Sequence, residues 1–222
     1  MQLTDSYLDD LCVRIAHQFA STQSYLTKKD IATILIDRMI PSEVAVKDFY
    51  EVDNIRFVIE YINNQRQLDK EISFEELFEI HYLLMNRIDS SRGNFKSENN
   101  KLDGTDFQTA SPEETPILTK QWMDHINSQL RTGIDNQELI ELVAESLIAF
   151  EHIHPFQRGN SETGQLVLIF ILLKEKSAPF VIESSDRSRY NRYIHGQNIK
   201  GLVSLLNEKI SMEESKIANY KD

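Results

Sequence analysis

Six apolar residues at three- and four-residue steps, Leu139, Leu142, Val143, Leu147, Phe150 and Ile153, make a stripe that commits residues 136–153 to a core helix. Pro155 ends it. The residue before a proline is disfavoured in α conformation, so the helix stops at His154 and presents the imidazole at its C-terminal edge. A short polar loop follows, with Phe156 as a plug into the core, Gly159 for backbone angles that other residues resist, and Asn160 or Ser161 to cap the next helix. That helix carries QLVLIFILLKEK, whose apolar run falls well short of the roughly 20 residues a bilayer requires, so it is a buried core helix. A histidine facing a helix N-terminus suits phosphoryl-type transfer: the imidazole accepts a proton while N–H groups hold phosphate oxygens.

Five prolines and seven glycines in 222 residues, with apolar positions recurring at helical steps elsewhere, predict an all-α chain. Helices are expected at about 4–21, 28–39, 42–65, 73–89, 115–131, 136–153, 161–176, 186–195 and 198–220. Thr27, Ser42 and Ser73 stand at three of the starts, and Glu76 completes a capping box with Ser73. The chain reads as one domain over 1–222, with N-terminal helices to about 50, a core over about 51–200 and a C-terminal helix over 201–222. Between the fourth and fifth helices, NFKSENNKLDGTDFQTASP breaks the pattern and contains the turn signal Asp103-Gly104, which predicts a small β-hairpin or flap.

Function classes fall away on charge. The chain carries 24 Lys and Arg against 35 Asp and Glu, a net charge of −11, which repels nucleic acid and anionic lipid. LTKKDIATILIDRM has the shape of a helix-turn-helix opening, but the acidic PSEVAVKDFYEVDN stands where a basic recognition helix belongs. One cysteine, Cys12, makes no internal disulfide, and the polar residues through MQLTDSYLDDLCVRIAHQF are unlike a secretory leader, so a cytoplasmic setting is expected.

The string His154-Pro155-Phe156-x-x-Gly159-Asn160 resembles the signature of the Fic (Fido) family, H-P-F-x-[D/E]-G-N-G-R-x-x-R. The likeness extends through EVDNIRFVIEYI at 51–62, EIHYLLMNRI at 79–88, RGNFKSENNKLDGTDFQTASP at 92–112, ILTKQWMDHIN at 117–127 and SRYNRYIHG at 188–196. It implies a compact helical bundle with a β-hairpin flap, and transfer of AMP from ATP with Mg2+ to hydroxyls of a target protein. By position, His154 would be the general base and Phe156, Arg158, Gly159, Asn160, Ser161, Glu162 and Gln165 the nucleotide and phosphate loop. Phe95, Lys96, Leu102 and Thr105 on the flap would clamp a protein target by strand addition. Tyr190 and Tyr193 would border the base or serve as core aromatics.

Departures from the signature concentrate in the charged positions. Arg158 stands at the acidic metal-ligand position, Ser161 at the second glycine, Glu162 at the first arginine and Gln165 at the second. Each charge-assisted contact to a triphosphate is worth roughly 1.5–3 kcal/mol, so nucleotide is expected to bind weakly and no cofactor is assigned. Glu162, stabilised by the N–H groups of a helix start, either fills the anion site itself or is simply a good first-turn residue; both disfavour phosphate. The family's self-inhibitory [S/T]-x-x-x-E-[G/N] motif is matched loosely by TILIDR, with Thr33 and Asp37 as its remnant. The resemblance therefore implies a degenerate member with a regulatory or protein-binding role; the alternative is an active transferase that uses His154 with another donor or without a metal. Nothing in these residues selects an oligomeric state.

Overall fold

The computed structural model describes residues 3–20, 26–68, 70–101 and 108–220. Among them nine helices follow in order: α1 (Asp5–Phe19), α2 (Lys28–Leu35), α3 (Val46–Gln65), α4 (Phe74–Leu84), α5 (Thr115–Arg131), α6 (Asn136–Ile153), α7 (Asn160–Lys174), α8 (Arg187–His195) and α9 (Ile199–Asn219). α7 is the hub. Every residue from Leu166 to Leu173 is buried, and the helix packs on α6, α4 and α3. α6 in turn lies against α5, α8 and α9, and its six-residue stripe is buried throughout.

Local chemistry sets most of the boundaries. Thr27 with Asp30, Ser73 with Glu76 and Asp135 with Glu138 each close a capping box, in which side chain and backbone N–H satisfy each other across the first turn. Three ends differ from the sequence reading. Ser42 caps nothing: Glu43 takes a left-handed φ of 70°, which no helix interior accepts, and α3 begins at Val46 behind Ala45. α2 stops at Leu35 ahead of Arg38 at φ 57°, and α4 at Leu84, where Asn54 Nδ2 donates to the carbonyls of Leu84 and Asn86.

Where the hairpin is expected, the described residues show one isolated antiparallel bridge, between Lys101 and Gln108. Leu102 and Thr105 lie outside the described residues. α1 is moored far along the chain: Glu213 on α9 accepts from the Tyr7 hydroxyl at 2.9 Å and from Arg14 at 2.6 Å, both buried. Among the described residues no helix is long and apolar enough to cross a membrane.

Candidate active site

His154 adopts φ 51° and ψ 60° as the C-cap of α6, its N–H still bonded to Phe150 O at 2.8 Å. The left-handed turn is how the chain obeys Pro155: the residue before proline leaves α conformation and the helix axis ends there. His154 sits, half-buried, at the C-terminal edge of the 18-residue α6.

The next five residues are held almost entirely through their backbone. Pro155 O accepts from Lys96 N at 2.9 Å, and Phe156 O accepts from Asn100 Nδ2 and Asn160 Nδ2, both at 2.7 Å. Phe156 N donates to Asn160 Oδ1 at 2.8 Å, so the Asn160 amide is spent on the loop. The expected cap at Asn160 or Ser161 is therefore corrected: the N-cap is Gly159, at φ 69° and without a side-chain bond. A Cβ there would meet Met85 Sδ at 2.6 Å.

His81 on α4 completes the fastening, and the sequence reading passed over it. Its ring stacks on Phe156 with centroids 3.7 Å apart; Nδ1 accepts from Gly93 N at 2.9 Å, which leaves Nε2–H to donate to Arg158 O at 3.1 Å. Burial lowers its pKa to about 4, so it stays neutral. A lone histidine on an apolar helix face gives no sign of a partner 77 residues away.

Phe95 and Lys96 are placed otherwise than a target clamp requires. Phe95 packs edge-on to Phe74 and Phe78. Lys96 is buried, and its ammonium donates to Asn100 Oδ1, Thr109 Oγ1 and Ile153 O. Phe95 is thus packed on α4, and Lys96 ties its segment to the end of α6. Lys96 reads as surface in sequence because nothing there reveals a carbonyl at a helix end awaiting a cation.

His154, Arg158, Gly159, Asn160, Ser161, Glu162 and Gln165 line one cleft of about 870 Å³, while Phe156 lies beneath it in the core. Tyr190 borders the cleft and Tyr193 packs against the core outside it. Thr33 and Asp37, the loose match to the self-inhibitory motif, are not among the residues that line the cleft. The residue that touches Gln165 is Gln18 at the end of α1, whose Nε2 donates to Gln165 Oε1 at 2.5 Å while its Oε1 accepts from Ile182 N at 2.7 Å.

Three acidic groups shape the electrostatics of the cleft. Glu162, in the first turn of α7, takes a hydrogen bond from its own backbone N–H; burial nonetheless raises its pKa, helped by Glu51 and opposed by Arg187. Glu151 is only 4% exposed. Burial pushes it up to about 7, with Ser161 hydrogen-bonding against that and Glu162 adding to it. Tyr190, buried beside both, has its hydroxyl pKa raised, chiefly by burial.

Glu151 has a pH consequence. With an ordinary value of 4.5 and a folded value of about 7, its contribution to stability is complete below 4.5 and is lost as pH rises through 7. Glu151→Gln is therefore expected to leave stability nearly unchanged at acid pH and to raise it, by on the order of 3 kcal/mol, well above neutrality. Urea unfolding of both proteins across pH checks this; equal curves at alkaline pH would contradict it. His81 works in the opposite sense, its contribution fading as pH falls from 6.5 toward 4.

These side chains do not fit a magnesium-bound triphosphate. The Glu162 carboxylate takes its own backbone N–H in the first turn of α7, Gln165 is tied to Gln18, and Arg158 offers an exposed cation beside Asp89. Among the described residues, no group of three or more His, Cys, Asp or Glu side chains is arranged to hold a metal ion.

Fold and cleft together define a class: a helical domain whose central helix-loop-helix brings His154 and one helix N-terminus to a common cleft. Residues 71–172 match the Fic/DOC family model. The protein adenylyltransferase Fic of Drosophila willistoni is 23% identical over 180 residues, which cover 81% of this chain and 35% of that protein. The chain thus spans about a third of the length of the curated relatives it matches. The solved structure of a Fic domain containing signaling protein from Bacteroides thetaiotaomicron shares the fold with a TM-score of 0.86 at 22% identity, over 100% of this chain and 94% of that one. Fic-1 from C. elegans gives 0.78 at 20% identity, over 95% and 62%.

Proposed function

We propose that this chain is a Fic-fold domain in which ATP-dependent AMP transfer is impaired and which acts by engaging a protein partner through the cleft and the flap rooted at Lys96 and Asn100. One observation carries the reading: where the family signature has two arginines, Glu162 places a carboxylate at the α7 start and Gln165 is engaged by Gln18. A triphosphate entering there meets a negative charge and loses two charge-assisted contacts, each worth roughly 1.5–3 kcal/mol. The buried free thiol of Cys12 accords with a cytoplasmic setting.

Retention of the His154 geometry supports a second reading, an active transferase with another donor. A stacked and hydrogen-bonded loop holds His154 in the cleft whether or not ATP binds. Calorimetric titration with ATP, with and without Mg2+, tests the first. Millimolar or undetectable binding is expected, and micromolar binding would sink it. Labelled transfer from a nucleotide panel, lost by about 10²–10⁴-fold in folded His154→Ala, would instead establish the second.

A further inference from the structure

The floor of the cleft presents an uncompensated demand for positive charge. Glu151 is buried, lines the cleft, and its Oε2 has no hydrogen-bond partner. The Tyr190 hydroxyl, also buried and also in the cleft wall, has none either. Glu162 lies within electrostatic reach of both. Among the described residues neither Glu151 nor Glu162 forms an ion pair.

Bare polar oxygens in a buried wall each cost the folded chain, and such groups in native proteins mark a site completed by something else. The nearby cations do not complete it. Lys47 pairs with Glu51 at 3.2 Å, Arg187 donates to the Gln18 carbonyl, and Arg158 and Lys101 are exposed. The Gln165 carbonyl already accepts from Gln18, so beside the two carboxylates and the phenol the floor offers the Ser161 hydroxyl.

We propose that the cleft floor binds an organic ammonium group, which donates to Glu151 Oε2, the Glu162 carboxylate and the Tyr190 oxygen. The proposal rests on the reading of this cleft as one that has exchanged its phosphate-binding charges for acidic ones. A primary ammonium brings three donors and one charge, one donor for each of the three acceptors. The cleft's volume of about 870 Å³ accommodates the remainder of a ligand beyond the ammonium. Two sources supply that chemistry, a small free amine and a lysine side chain on a partner protein.

The test is a thermal-shift and calorimetric titration of the intact chain with n-butylammonium and with Nα-acetyl-lysine N-methylamide, beside 1-butanol and ATP with Mg2+. Saturable stabilisation by either amine and none by 1-butanol is expected. A stronger response to the lysine derivative assigns the group to a polypeptide, a stronger response to butylammonium to a small amine. The Glu151→Gln/Glu162→Gln variant keeps side-chain volume and removes no ion pair. Its affinity for the amine is expected to fall by about tenfold to a hundredfold. A wild-type chain that responds equally to butylammonium and 1-butanol, or to neither amine, overturns the inference without any variant. So does full amine binding retained in the double variant. The ATP arm separates the two readings: tight ATP binding removes the proposed function, whereas loss of the amine response with ATP still excluded removes only this inference.

Discussion

The variant Arg158→Asp/Glu162→Arg/Gln165→Arg is expected to bind ATP with Mg2+ about 10²–10⁴-fold more tightly than the natural chain. Two arginines restore two charge-assisted contacts at roughly 1.5–3 kcal/mol each, and the new aspartate supplies a carboxylate to a divalent ion. The scaffold for those contacts is already in place. Asn160 is locked to both backbone groups of Phe156, and Arg158 O is held by His81, so the α7 N-terminus needs no rearrangement to face a phosphate. The arginine at 165 meets one obstacle: Gln18, itself fixed by Ile182 N, points at that position. A gain that appears only after Gln18→Ala is added would show that α1 obstructs the site. No gain in the quadruple variant, measured by the same calorimetry, would refute the charge argument for weak nucleotide binding.

The largest loss of stability is expected from Gly164→Val. A Cβ at 164 would lie 2.7 Å from Phe150 Cδ1 and 3.2 Å from Cε1. Phe150 cannot yield easily, since it is fully buried and packs against Trp122 at 5.0 Å. Overpacking at such a crossing costs about 3 kcal/mol or more. At roughly 2–4 °C per kcal/mol for a chain of this length, Tm should fall by about 10 °C. Gly133→Ala is the control. At φ 74° with nothing within 4 Å of its Cβ, it should lose only the cost of a left-handed residue, about 1 kcal/mol. Equal losses at the two positions would mean that α6 and α7 adjust their separation freely.

The nine helices among the described residues, their order and the core faces of α6 and α7 were legible from residues alone, because helical periodicity and capping chemistry act within a few positions of one another. The same locality let Pro155 announce the bend at His154. Boundaries failed where a left-handed residue intervened, as at Glu43 and Arg38, since neither residue type signals a positive φ. The charge substitutions at Arg158, Glu162 and Gln165 were also visible in sequence, and all three line the cleft.

What the chain's order of residues could not reveal is who meets whom across it. Gln18 and Gln165 are 147 positions apart, and α1 is directed to the cleft by its mooring to Glu213 on α9. Thr33 and Asp37 matched a short pattern and lie elsewhere. Lys96 and His81 became internal fasteners of the loop because the fold brings an unsatisfied carbonyl to each. Periodicity and caps are short-range physics and can be read along the chain. Burial, desolvation of Glu151 and the pairing of distant polar groups depend on which surfaces close on each other, and the packing of the helices around α7 decides that.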